Sequence, residues 1–124
     1  MFEIHMGVPE MAAFWDALQE RVRSEKASKA EVQQYKRIGK ALLQLSTDPR
    51  YPGLRSHEVV ALTVRYGQKV WESYLQNNTS GAERLFWVYG PGKGDITIIG
   101  LEPHPDDKRN AYQKITLSAM GENL

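Results

Sequence analysis

A glutamate, an arginine and a histidine fall on three successive strand-like segments: Glu72 in KVWESYLQNN, Arg84 in ERLFWVYG and His104 in DITIIGLEPHP. On one face of a sheet they would supply a general base, a phosphate clamp and a general acid. RNA carries its own nucleophile, the 2′-hydroxyl, so these groups are what metal-free cleavage needs. Glu72 would take the hydroxyl proton. Arg84 would grip two phosphate oxygens with a planar fork that keeps its charge. A histidine titrates near neutrality, so His104 would protonate the leaving 5′-oxygen. Tyr112 would stack on a base or orient the phosphate. Arg55, His57, Lys69 and Phe86 would line the RNA and add cation density.

Each residue also has a plainer role. Spacing alone fits Glu72 and Arg84 better as an ordinary cross-strand pair. His104 between Pro103 and Pro105 reads as a turn residue, and Tyr112 as a packing residue on a short helix. The linear spacing of His5, His57 and His104 matches no metal motif, so no metal and no cofactor is expected. Gly90-Pro91-Gly92-Lys93-Gly94 lacks the spacing and following helix of a phosphate loop and reads as a hairpin turn.

The elements that must hold these residues follow from periodicity. Phe2 and Ile4 alternate with Glu3 and His5, which predicts a short strand ending at Gly7. Met11, Trp15, Leu18 and Val22 recur at helical spacing over Pro9 to Ser24, with Pro9 suited to the first turn. Ser28 and Glu31 form a capping-box pattern that opens a second helix. Its buried stripe is Tyr35, Ile38, Leu42 and Leu45, and Asp48-Pro49 ends it. Val59 to Gly67 is ambiguous between strand and helix. Three antiparallel strands follow, joined by the turn-rich segments Asn77–Gly81 and Gly90–Asp95. A short helix capped by Asp106 comes next, and the tail from Ser118 is expected to fray.

The expected fold is thus α+β, with an N-terminal strand and two helices packed on one face of an antiparallel sheet. The other face would be an open platform. Strand parity assigns Trp71, Leu85, Trp87, Ile99 and Leu101 to the core. It leaves Glu72, Arg84, Phe86, Val88, Ile98, Gly100, Glu102 and His104 on the platform.

Composition narrows the classes. A chain of 124 residues reads as one domain spanning 1–124. Apolar residues at 41% and charged residues at 25% fit a water-soluble globular chain. The net charge of +1 excludes a protein that coats nucleic acid through bulk charge, so any RNA contact must be local. The absence of cysteine excludes disulfides and thiol chemistry. No segment reads as a signal peptide or a membrane span, so a cytoplasmic location without membrane contact is expected.

The stretch VWESYLQNNTSGAERLFWVYGPGKGDITIIGLEPHPDDKRNAY resembles the RelE/ParE superfamily of type II toxins, and the likeness extends from the first strand to Tyr112. Arg84 before Leu85-Phe86-Trp87-Val88-Tyr89 and His104 closing the last strand stand where YoeB-like members carry an arginine and a histidine. Glu72 matches their earlier glutamate, and Tyr112 the C-terminal tyrosine of RelE-like members. Pro105 stands where YoeB-like chains place a tyrosine, and RelE-like chains are far more basic. The resemblance implies a toxin that cleaves mRNA on the ribosome and is silenced by a cognate antitoxin, as a homodimer or a toxin–antitoxin hetero-oligomer. A ParE-like gyrase inhibitor without chemistry, or a non-catalytic protein-binding module of the same fold, are the alternatives.

Overall fold

In chain order the elements are β1 (Glu3–Met6), α1 (Glu10–Arg23), α2 (Lys29–Thr47), β2 (His57–Glu58), α3 (Val60–Tyr66), β3 (Trp71–Tyr74), β4 (Glu83–Tyr89) and β5 (Asp95–Pro103). The structure, a computed structural model, describes residues 1–75, 83–103 and 117–119. The fold is α+β. Among the described residues one five-stranded sheet has the order β1-β5-β4-β3-β2. The sheet is mixed: β1 runs parallel to β5, and the other pairs are antiparallel.

The two N-terminal helices form for the expected reasons. In α2 the Ser28 hydroxyl accepts from the Glu31 backbone N–H, and the Glu31 carboxylate accepts from the Ser28 backbone N–H. The helix stops at Asp48, which turns extended ahead of Pro49. In α1, Pro9 lies outside as the cap residue and Glu10 opens the helix. The Met11 N–H is capped from far along the chain, by the Ser118 hydroxyl at 3.1 Å. Trp15 of α1 stacks on Tyr35 of α2, with ring centroids 5.4 Å apart.

Both faces of the sheet are covered. On one, Met11, Ala41, Leu45 and Leu54 pack against Leu85, Trp87, Ile96 and Ile98. On the other, Val59, Leu62 and Val70 pack against Phe86, Val88 and Ile99. The open platform expected from the sequence is therefore corrected: α3 closes much of that face. The ambiguous segment resolves into two residues of strand followed by helix, and Gly67 at φ +89° ends it in a conformation that favours glycine. Each such fully buried aliphatic side chain contributes about 1.5–3 kcal/mol of transfer free energy.

The parity assignment fails at one point for a local reason. Phe86 pairs with Gly100 but Trp87 pairs with Ile98, so β5 carries an extra residue there. This bulge exchanges the faces of Ile98 and Ile99 relative to strict alternation. The expected fraying at Ser118 is also corrected. Ser118 is 1% exposed, its N–H donates to the Ile99 carbonyl at 2.7 Å, and Ala119 bridges to Val8. The expected helix after Asp106 lies outside the described residues. Among the described residues no helix is long and apolar enough to cross a membrane.

Candidate active site

Strand register builds the polar cluster. β2 sets His57 directly opposite Glu72, so both side chains leave the sheet on the same side. Across β3 and β4 the direct pairs are Glu72 with Phe86 and Tyr74 with Arg84. Glu72 and Arg84 therefore meet on the diagonal. One carboxylate oxygen serves both cations: Glu72 Oε1 is 2.5 Å from Arg84 Nη1 and 3.1 Å from His57 Nε2.

Burial divides the roles. Glu72 and Arg84 have no exposed surface, whereas the His57 side chain is 48% exposed. A lone buried carboxylate would be costly, and the guanidinium beside it offsets the lost hydration. Arg84 also lies 5.7 Å from the Tyr74 ring centroid and 5.6 Å from that of Phe86. Arg55 approaches Tyr74 as well, at 5.3 Å. Such cation–π contacts strengthen when desolvated.

Arg55 also shapes the histidine. Its backbone lies at φ +51°, a left-handed conformation that costs a non-glycine residue about 1–2 kcal/mol. Strain of this kind concentrates at functional sites. Here it accompanies an Arg55 carbonyl 3.0 Å from His57 Nδ1. A carbonyl only accepts, so this contact is a hydrogen bond in the ring form that carries its hydrogen on Nδ1.

The sequence expectations divide accordingly. Glu72 and Arg84 do come together, but in the interior. Their expected direct roles as base and phosphate clamp are corrected, because a phosphodiester outside the protein does not reach a fully buried pair. Phe86 is corrected likewise: it is 0% exposed within the second core and offers no ring to a base. Lys69 is exposed just before β3 and makes no described contact with the cluster. His104 and Tyr112 lie outside the described residues. His57, expected only to line the RNA, is the exposed member of the cluster. Its pairing with Glu72 rests on a two-residue strand, a signal too short to read from periodicity.

Tertiary structure also gathers ionisable groups that lie far apart in sequence. The parallel pairing of β1 and β5 brings Glu3, His5 and Asp95 together, with one ligand atom from each within 4.8 Å of the others. His5 Nε2 is 3.0 Å from Asp95 Oδ1. That hydrogen bond, followed by one from the Gly92 N–H, holds the Asp95 carboxyl below its ordinary value.

Comparison of the chain with family models, with curated proteins and with solved structures finds no match.

Proposed function

We propose that this chain is an RNA-cleaving toxin of the RelE/ParE type, kept silent by an antitoxin, in which His57 is the group that meets the substrate. The observation that carries this reading is the exposed imidazole held against a fully buried carboxylate, with Arg84 fixing that carboxylate from behind. Orienting an acid–base group with a buried carboxylate is a recurring catalytic device. The element order, a strand and two helices followed by antiparallel strands with the first strand beside the last, supports the resemblance seen in the sequence.

The chemistry is transesterification. The 2′-oxygen attacks phosphorus and loses its proton to water, and the bond from phosphorus to the 5′-oxygen breaks. As an imidazolium, His57 offers positive charge to the crowded phosphate and, once Nδ1 leaves the Arg55 carbonyl, its Nδ1 proton to the departing oxygen. The products are a 2′,3′-cyclic phosphate and a 5′-hydroxyl. Glu72 and Arg84 act through His57 as positioning residues. Induced expression tests the reading: growth should arrest, and mapped mRNA ends should carry cyclic phosphates. Normal growth with intact messages would overturn it.

One observation favours a second reading. Glu72 and Arg84 are both fully buried and compensate each other, as in a purely structural ion pair. On that reading the chain is a non-catalytic binding module of the same fold, or a gyrase inhibitor. It predicts that substitutions of His57 change nothing but local contacts.

A further inference from the structure

A second concave site lies between α2 and the β3 end of the sheet. Its walls are Arg37, Lys40 and Gln44 of α2, Tyr51 and Gly53 of the following turn, and Tyr74 of β3. Its volume is about 200 Å³, below the range of about 300–1,000 Å³ usual for a whole small-molecule ligand. That size suits one unit of a longer chain.

The wall chemistry identifies the unit. Lys40 is exposed and makes no ion pair among the described residues. Arg37 is ion-paired through Nη2 with Glu83 at 3.0 Å, while its Nε–H is buried with no acceptor among the described residues. Two cationic donors suit a phosphate. Tyr51 is 44% exposed and offers a ring face for stacking. Gly53 makes room for that ring, because a Cβ there would stand 2.5 Å from Tyr51 Cε2. Tyr74 joins this pocket to the His57 cluster, since the guanidinium carbons of Arg55 and Arg84 lie 5.3 Å and 5.7 Å from its ring centroid.

We infer that this pocket is a nucleotide subsite for single-stranded RNA, with a base stacked on Tyr51 and its phosphate held by Lys40 and Arg37. The inference rests on the RNA-cleaving reading and extends it: RNA held here passes round the sheet at Tyr74, whose ring centroid lies 6.0 Å from that of His57 on the other face. Aromatic stacking plus cations accepts many base identities, so this subsite supplies affinity rather than sequence choice.

The test uses the full chain with two probes, a short fluorescein-labelled oligouridylate and adenosine 5′-monophosphate. Wild type should bind the oligouridylate, and the monophosphate should shift amide resonances of Tyr51, Gly53 and Tyr74. Lys40→Glu and Tyr51→Ala alter exposed side chains and should each weaken oligouridylate binding about tenfold or more. Lys40→Glu should also lower the salt slope of binding by about 0.7, the value of one phosphate contact on a single strand. Wild-type affinity in both variants would overturn the subsite. So would tighter binding of polyglutamate than of oligouridylate, which would mark a site for an acidic peptide. Cleavage assays separate the two ideas. Unchanged KM for RNA cleavage in both variants overturns the subsite and leaves the cleavage reading standing. Binding lost in the variants of a chain that never cleaves supports the subsite and overturns the cleavage reading.

Discussion

His57 Nε2 stands 3.1 Å from Glu72 Oε1, so a solvent-open imidazole rests on a carboxylate with no exposed surface. Cross-strand register creates this pair, since β2 and β3 set the two residues opposite each other. The carboxylate is in turn fixed by Arg84, which sits between two aromatic rings. The energetic cost of the arrangement falls on the buried pair, and the accessible chemistry falls on the histidine.

The buried pair can be tested by stability alone. Glu72→Gln removes the negative charge beside a buried guanidinium, and breaking a buried pair in this way costs about 3–5 kcal/mol. Replacing both residues, Glu72→Met with Arg84→Met, is expected to cost far less, because no buried charge is then left uncompensated. Urea midpoints for the single and double variants check this. A Glu72→Gln variant within about 1 kcal/mol of wild type would match a solvated pair instead.

Closure of the second sheet face by α3 makes a separate prediction. Leu62 is fully buried, so Leu62→Ala should destabilise by about 2–5 kcal/mol. Val64 on the same helix is 77% exposed, and Val64→Ala should stay within about 0.5 kcal/mol of wild type. Equal effects at the two positions would contradict the packing of α3.

Much of the frame could be read directly from residue patterns, and the failures have physical causes. The capping box at Ser28 and Glu31, the stop at Asp48-Pro49 and the turn at Gly90–Asp95 are local signals, and the structure contains all three. The second core is hidden in the sequence because Phe86, Val88 and Ile99 do not reveal which element covers them. The bulge at Phe86/Trp87 was invisible because a single extra residue leaves no compositional trace. Strand parity puts Glu72 and Arg84 together, yet parity carries no information on depth. The place of His57 is not legible in the sequence because its contact with Glu72 depends on tertiary pairing across a two-residue strand.

The capping box predicts a modest and specific loss. Ser28→Ala removes the acceptor for the Glu31 N–H and should cost about 1 kcal/mol. Ser28→Asp should keep most of that stability, because aspartate caps as well as serine does. Thermal or urea unfolding of the two variants distinguishes them, and equal losses would contradict a capping role.

Acid should unfold the chain partly through two surface carboxyls. Asp95 is held below its ordinary value of 3.8, chiefly by its hydrogen bond with His5. Glu31 is held below its ordinary value of 4.5, chiefly by the Ser28 backbone N–H. Both groups bind protons more weakly when folded than when unfolded. Their stabilisation is therefore present above those ordinary values and is lost as pH falls through the lowered folded ones. Asp95→Asn combined with Glu31→Gln should be less stable at neutral pH and lose less on acidification. Denaturation midpoints across the acid range check this, and an unchanged acid slope would contradict it.

The central claim concerns His57, and cleavage of a defined mRNA in a reconstituted translation reaction, read by primer extension, tests it most directly. Removing a positioned acid–base group lowers rate by about 10²–10⁴-fold, so His57→Ala should lose activity on that scale while its urea midpoint barely moves. Wild-type cleavage by a folded His57→Ala protein, or no cleavage by wild type under the same conditions, would contradict the account.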